Sequence, residues 1–337
     1  MLKITASTGA AIDSPADGPV PLPAQPPDLA QFLALLPQPF PVLPALAALL
    51  ALAYLSGAVR LWLTGRGWSA WRTLSFLTGC AVVAVVMGVS LEAYGYAMFS
   101  VFMFQQLTLM MAVPPLLVLG APGTLLLRAT PHRLGGQWVL RAALWGLRSA
   151  LGRALIHPAV TIPLFLLSFY GLYLGGLAEA PLRSWGGHVG LEVFFLAAGV
   201  LFTVPVLSID PLPRRQSHAA RLLDVFAETA LHAFFGVLVM MAVVPLVGAF
   251  REPPAAWKLD VLYDQQVAGA LAWSYGELPS LIIMLVLLNR WFRHDSRAAL
   301  AADRRADAGG DADLKAYNDY LARLQRDRSQ GDAADRG

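Results

Sequence analysis

Two pairs of ionisable residues at helical spacing are the first candidates for chemistry in this sequence. His188 and Glu192 are four residues apart, and so are Glu228 and His232. In a helix this spacing places both side chains over one patch of the surface. Each pair fits a hydrogen-bonded couple, a proton relay or half of a metal site, and the spacing leaves these alternatives open.

More polar side chains interrupt the apolar stretches. They form two predicted layers: an outer one with Gln105, Gln106, His188, Glu192, Asp264 and Gln265, and an inner one with Glu228, His232 and Glu277. Met98 and Met103 add thioethers to the outer layer, so His188, Glu192 and Met103 are the candidate metal ligands. His232 and Glu277 are predicted to meet across two helices, since both are costly to leave unpaired in lipid. The alternative for every one of these residues is ordinary hydrogen bonding or packing between helices.

The elements that must position these residues are apolar helices. The chain has 337 residues, of which 57% are hydrophobic and 14% charged, a composition typical of an integral membrane protein. Seven apolar runs approach the roughly 20 residues that a membrane-spanning helix needs. They are Pro41–Leu63, Thr73–Leu91, Met98–Leu117, Pro158–Leu177, His188–Leu207, Val225–Val247 and Val267–Leu288. The predicted fold is therefore all-α, a polytopic bundle of seven transmembrane helices.

Basic residues predict the orientation of this bundle. Alternate connecting segments and the C-terminal tail carry 21 of the 25 lysines and arginines. Cytoplasmic segments hold such an excess, so the N-terminus is predicted outside and the C-terminus in the cytoplasm. The net charge of +3 then reflects topology and anionic lipid, and nucleic-acid binding is excluded.

The chain is predicted to divide into three parts. Residues 1–28, with six prolines, form a disordered external tail; residues 29–292 form the membrane domain; residues 293–337 form a charged cytoplasmic tail. Asp28 is predicted to cap a short helix. Asp311 is predicted to cap another that carries Leu314, Tyr317, Leu321 and Leu324 on one face, and a solvated tail is the alternative there. The loop 120–156 has five arginines and no acid, which favours an amphipathic segment on the inner leaflet over a partner-binding one.

Several classes of function are excluded. Cys80 is the only cysteine, so no intramolecular disulfide or CxxC metal site can form. The sequence contains no Ser/His/Asp arrangement, phosphate-binding loop or dinucleotide glycine pattern. We therefore expect no enzyme activity.

Six strings in order resemble the seven-span CtaG family of cytochrome c oxidase assembly proteins. They are "QLTLMMAVPPLLVLGAPGTLLLRATP", "HPAVTIPLFLLSFYGLY", "DPLPRR", "LHAFFGVLVM", "DQQVAGALAWSYGELPSL" and "AYNDYLARL". The resemblance implies a multi-pass protein of the bacterial inner membrane that aids formation of the oxidase copper centre. It implies copper as cofactor, and the lipid bilayer and cytochrome c oxidase subunits as partners.

The sequence departs from the family at its histidines. Members begin the third span with His-Met-x-Gln-His, whereas Phe102 and Gln106 stand at the two histidine positions here. Either the outer layer binds metal through His188, Glu192 and the methionines, or it has become a structural hydrogen-bond network. The leading hypothesis is partner binding during oxidase biogenesis. The alternatives are a transporter of copper or another small solute, and a structural membrane subunit.

Overall fold

The structure is a computed structural model, which describes residues 20–36, 39–131, 135–210, 216–309 and 312–334. Within these ranges every regular element is a helix. The α-helices are α1 (Leu29–Phe32), α2 (Val42–Leu63), α3 (Ala70–Val86), α4 (Leu91–Gly95), α5 (Phe99–Leu107), α6 (Val113–Leu119), α7 (Pro122–Ala129), α8 (Gly135–Arg148), α9 (Ala150–Leu155), α10 (Pro158–Leu166), α11 (Glu179–Leu182), α12 (Trp185–Leu207), α13 (His218–Met241), α14 (Val261–Ser274), α15 (Glu277–Gly309) and α16 (Ala312–Ala334). Two π-helical segments, Thr108–Ala112 and Leu167–Leu174, and two 3₁₀ turns, Gly248–Phe250 and Ala255–Trp257, complete the set.

Five continuous helical stretches are long and apolar enough to cross a membrane. They are Val42–Leu63, Phe99–Ala129, Trp185–Leu207, His218–Met241 and Val261–Arg304. Two shorter apolar helical stretches, Ala70–Val86 and Pro158–Leu174, coincide with the remaining two predicted spans. The all-α class is therefore confirmed, while the count of seven spans stays a prediction.

The chain separates into two compact units, residues 1–284 and 285–337. The division falls inside α15, earlier than the predicted boundary after residue 292. The second unit holds the end of α15 and the helix α16, and α16 overlaps the segment for which a helix was one of two predictions. Its predicted capping residue, Asp311, lies outside the described ranges.

Close helix contacts in the first unit are made at glycines. Gly236 of α13 and Gly269 of α14 face each other, and a Cβ atom built on either would lie within 3 Å of the backbone of the other helix. Gly199 of α12 meets the carbonyl oxygen of Met110 in the same way. That carbonyl is four residues before Pro114, whose missing N–H leaves it without its usual helical partner. Small residues at helix contacts allow this close approach in the absence of a hydrophobic drive between helices.

The segment before α1 is ordered where the structure describes it. The Tyr94 hydroxyl donates to the carbonyl of Gln25 at 2.9 Å, and the Trp257 indole N–H donates to the carbonyl of Pro23 at 2.9 Å. The prediction of disorder is therefore wrong for residues 20–28, because two buried aromatic donors bind their carbonyls. Residues 1–19 lie outside the described ranges. Asp28 caps α1 as predicted, accepting from the Gln31 N–H at 2.7 Å.

Helix α8 has the amphipathic character predicted for the loop 120–156. Trp138 and Trp145 are 70% and 76% exposed, and the guanidinium of Arg141 lies 5.3 Å from the Trp138 ring centroid. Exposed tryptophans beside arginines are typical of a helix at a membrane surface. Its contact with the inner leaflet remains a prediction.

Candidate functional site

Three ionisable side chains from two helices meet in the membrane domain. Glu92 of α4 and His188 and Glu192 of α12 each place one ligand atom within 4.8 Å of the other two. We call these three residues the triad. Each triad side chain is buried, and His188 Nε2 lies 3.2 Å from Glu192 Oε1. The predicted pair is therefore confirmed as neighbours, and Glu92 joins it.

Local structure explains why these side chains converge. Ser184 caps α12, accepting from the Gly187 N–H at 3.1 Å, so His188 and Glu192 occupy its first two turns. Helix α4 is a short turn between α3 and α5 and presents Glu92 to them. The amide nitrogen of Gln105, on α5, donates to Glu92 Oε2 at 2.7 Å. Three separate segments therefore fix the carboxylate of Glu92 beside the α12 pair.

A glycine makes room for the Gln105 amide. A Cβ atom built on Gly95 would lie 2.1 Å from Gln105 Oε1, so any larger residue would displace that amide. Aromatic rings line the other side of the triad. Tyr96 stacks on the His188 ring with centroids 3.8 Å apart, and the Phe102 ring lies 4.9 Å away. These rings fix the orientation of the imidazole.

A cleft reaches the carboxylates of the triad. Glu92 and Glu192 line it together with Tyr96, Trp185, Val20 and Phe40. The free volume of this cleft is only about 10 Å³, room for about one water molecule, and the triad itself is buried.

Several polar atoms of this site have no hydrogen-bond partner among the described residues. They are His188 Nε2, Glu192 Oε1 and Gln105 Oε1. Burial raises the pKa of Glu92 well above its ordinary value, and the neighbouring Glu192 raises it further. Within the described residues no lysine or arginine forms an ion pair with either carboxylate. Two buried carboxyls without a cation must carry protons or bind a cation, since isolated buried charge is very costly.

The third predicted ligand, Met103, is placed elsewhere. Met103 is fully buried in α5, two residues before Gln105. Two residues correspond to about 200° of helical rotation, so the two side chains leave the helix on nearly opposite faces. Gln105 faces Glu92, and Met103 therefore faces away from it. The prediction of Met103 as a ligand beside His188 and Glu192 is not supported.

Gln106 has a structural role, in contrast to the adjacent Gln105. Its amide nitrogen donates to the carbonyl of Ser168 at 2.9 Å, and its oxygen accepts from the Tyr173 hydroxyl. Both partners lie in the π-helical segment Leu167–Leu174. Gln106 thus ties this segment to α5 and satisfies its own buried amide.

Asp264 and Gln265 of the predicted outer layer are also hydrogen-bonded to the backbone. Asp264 Oδ2 accepts from the N–H groups of Phe99 at 2.7 Å and Ser100 at 3.3 Å, and its other oxygen accepts from the Ser100 hydroxyl. It caps α5 from another helix. Gln265 accepts from the Leu246 N–H at 2.7 Å and donates to the Val244 carbonyl at 3.1 Å. These two residues hold helices and loops together.

The predicted inner layer forms a second, looser cluster. Glu228 Oε1 lies 3.9 Å from His232 Nδ1, and the Ser280 hydroxyl donates to Glu228 Oε2 at 3.1 Å. In the part of the chain that the structure describes, no hydrogen bond or ion pair joins His232 to Glu277. The predicted contact between them is wrong: Glu277 is half-buried at the start of α15, and Gly276 is the residue packed against the His232 ring.

Sequence reasoning missed Glu92 because no spacing rule connects it to His188. It lies in a loop between two predicted spans, and only the tertiary fold brings it to α12. One feature pointed to it: Glu92 is an acid in the otherwise uncharged stretch 73–127. A charge in such an apolar context needs a partner.

Comparison with known proteins gives a family match. Residues 52–294 match the model of the cytochrome c oxidase caa3 assembly factor family, Caa3_CtaG. Proteins titled "uncharacterized" from Mycobacterium bovis, Mycobacterium tuberculosis and Mycobacterium leprae are each 37% identical to the chain over 84% of its length. The match covers 44% of each relative, so the chain spans less than half the length of these relatives. No solved structure matches the chain.

Proposed function

The chain belongs to the family of cytochrome c oxidase caa3 assembly factors, and from this premise we propose that it assists the assembly of a cytochrome c oxidase. The family match, which covers most of the chain, is the observation that carries the proposal. We place the protein in a bacterial plasma membrane, consistent with its apolar helices and its mycobacterial relatives. Its role is to bind oxidase subunits during their maturation, without catalysing a reaction.

Copper is the metal that the resemblance implies, and the triad is where it would be held. One imidazole and two carboxylates are a borderline-to-hard donor set, which fits Cu(II) better than Cu(I). The unpartnered atoms of His188 and Glu192 are free to act as ligands. When bound, the metal would be cargo for the oxidase. The chain's own residues would hold it, exclude water from it and expose it only at the cleft.

The proposed topology has seven spans with the N-terminus outside. The two shorter apolar helices, Ala70–Val86 and Pro158–Leu174, are needed to complete the seven. The 21 basic residues on one side support a cytoplasmic C-terminus. A reporter that is active only in the cytoplasm should work when fused after Gly337 and fail when fused at Glu252. The reverse result would overturn the orientation.

Deletion of the gene in its host tests the proposed function. The deletion strain should lose assembled cytochrome c oxidase, measured as cytochrome c oxidation and oxidase absorption in membranes, while the oxidase transcripts stay unchanged. The wild-type chain should restore both. Normal oxidase in the deletion strain would contradict the proposal. Copper uptake by liposomes that contain only this protein would favour a transporter instead.

A further inference from the structure

We propose that Glu92, His188 and Glu192 bind one divalent first-row metal cation, with Gln105 as the residue that positions Glu92. The inference deepens the proposed function, on which its biological meaning rests. The inference rests on the types of ligand atom that the three residues offer and on the distances between them.

The relation between His188 and Glu192 is the first argument. Their nearest atoms, Nε2 and Oε1, are 3.2 Å apart, at ion-pair distance, and among the described residues neither atom has a hydrogen-bond partner. Ligands about 2.1 Å from one tetrahedral ion lie roughly 3.4 Å from each other. The observed separation fits two ligands sharing an ion, as it also fits a direct ion pair between the two side chains. Glu92 supplies a third ligand atom within 4.8 Å of both.

Charge balance decides which class of ion fits. Two carboxylates and a neutral imidazole carry two negative charges in a site that is 94% buried or more. A divalent cation neutralises them fully, whereas Cu(I) would leave one uncompensated charge. Burying such a charge without a partner costs several kcal/mol. The described residues offer no lysine or arginine in an ion pair there, so a bound divalent cation is the positive charge that would balance the ionised carboxylates.

The surroundings of the triad keep its ligands in place. Gln105 holds Glu92 Oε2, and Gly95 leaves the space that the Gln105 amide fills. Tyr96 and Phe102 fix the imidazole ring of His188. Partners of this kind orient metal ligands, and their loss costs about ten- to a hundredfold in metal affinity. A small cleft lies directly beside Glu92 and Glu192.

The Glu228–His232 pair provides an internal control. It has the same residue types at the same spacing, but its nearest atoms are 3.9 Å apart and Ser280 occupies one carboxylate oxygen. Among the described residues no third His, Cys, Asp or Glu comes within ligand distance of it. Spacing alone therefore does not make a metal site in this protein, and we expect this pair to bind no ion.

The experiment measures metal binding by the full chain purified in detergent. The protein is stripped with a chelator, reloaded separately with Zn(II) or Cu(II), passed through a desalting column and analysed for metal. Wild type should retain about one ion per chain. Glu92→Gln, Glu192→Gln and His188→Gln should each lower affinity at least tenfold, and Gln105→Leu about ten- to a hundredfold. Glu228→Gln and His232→Gln should bind as wild type does.

Cu(II) spectroscopy identifies the ligands directly. The electron paramagnetic resonance spectrum should show coupling to a single imidazole nitrogen that disappears in His188→Gln. All variants are first shown to be monodisperse with the helical content of wild type, so that loss of metal is separated from loss of fold. Folded wild type that retains no divalent ion, or triad variants that bind as wild type does, would overturn the inference.

The assay also separates this inference from the proposed function. Metal binding is measured without any oxidase present, and oxidase assembly is measured in cells. Loss of oxidase in the deletion strain together with no metal binding would refute the site and leave the assembly role intact. Metal binding with normal oxidase in the deletion strain would refute the assembly role alone.

Discussion

Two buried acidic sites lie near helix α5 and differ in their hydrogen bonds. Asp264 accepts three hydrogen bonds from Phe99 and Ser100 at the start of that helix. In the triad, Glu192 Oε1 and His188 Nε2 accept none from any residue that the structure describes. Both sites are almost completely buried, so burial does not distinguish them. The difference lies in which atoms remain unpaired, and it separates a structural carboxylate from a candidate ligand.

The position of each carboxylate relative to helix ends explains why Asp264 is hydrogen-bonded and the triad keeps unpaired atoms. A carboxylate at a helix N-terminus meets unpaired N–H groups and the positive end of the helix dipole, which offset its desolvation. The same arrangement recurs at Asp210, which accepts from the N–H groups of Gly123 at 2.9 Å and Thr124 at 2.7 Å at the start of α7. Among the described residues, no helix N-terminus donates N–H groups to the carboxylates of the triad in this way. The triad requires protons or a metal cation instead.

The largest effect that the comparison predicts is at Asp264. Asp264→Ala should leave two N–H groups and one hydroxyl buried without an acceptor. Each orphaned donor costs about 1–3 kcal/mol, so the variant should lose roughly 3 kcal/mol or more of stability. The measurement is the temperature at which half of the detergent-purified protein leaves the monodisperse peak. We expect a large fall or no folded protein.

Asp260 is the matched control for this variant. It caps its own helix α14 at an exposed position, accepting from Leu262 at 3.0 Å and Tyr263 at 3.1 Å. Water can replace its oxygen, so Asp260→Ala should cost only about 1 kcal/mol. If Asp260→Ala and Asp264→Ala lost equal stability, burial of the Asp264 cap would add nothing to its contribution.

A second, intermediate effect distinguishes the adjacent glutamines. Gln106→Leu should orphan the Tyr173 hydroxyl and the Ser168 carbonyl and cost about 1–3 kcal/mol, seen as a lower midpoint in the same heating assay. Gln105→Leu should shift that midpoint less, because it removes one bond from Glu92, whose carboxyl stays beside Glu192. Its main effect should be on metal retention. If Gln106→Leu weakened metal binding more than Gln105→Leu, the two roles would have been assigned the wrong way round.

The sequence predicted the local features of this molecule better than the tertiary ones. Apolar runs gave the helices, and four-residue spacing gave the His188–Glu192 contact, since both follow from helical geometry alone. Glu92, 96 positions before His188, and the cap from Asp264 to Phe99 follow only from how distant helices pack. Of the two branches left open for the outer layer, the structural one fits Gln106, while metal binding by His188 and Glu192 stays a prediction. Gln106 is structural, and His188 and Glu192 keep unpaired ligand atoms.

The smallest effect is expected in the triad itself. Glu192→Gln keeps the shape of the side chain and removes one of two carboxyls that face each other in the buried site. In metal-free protein this should change stability by less than about 1 kcal/mol, because glutamine keeps a hydrogen-bonding group beside Glu92 and Glu192 Oε1 has no partner to lose among the described residues. The heating assay should therefore show wild-type behaviour after chelation. With Zn(II) present, wild type should gain stability by mass action and Glu192→Gln should not. A loss of metal-free stability as large as that of Asp264→Ala would mean that Glu192 is a structural residue, and the contrast between the two acidic sites would fail.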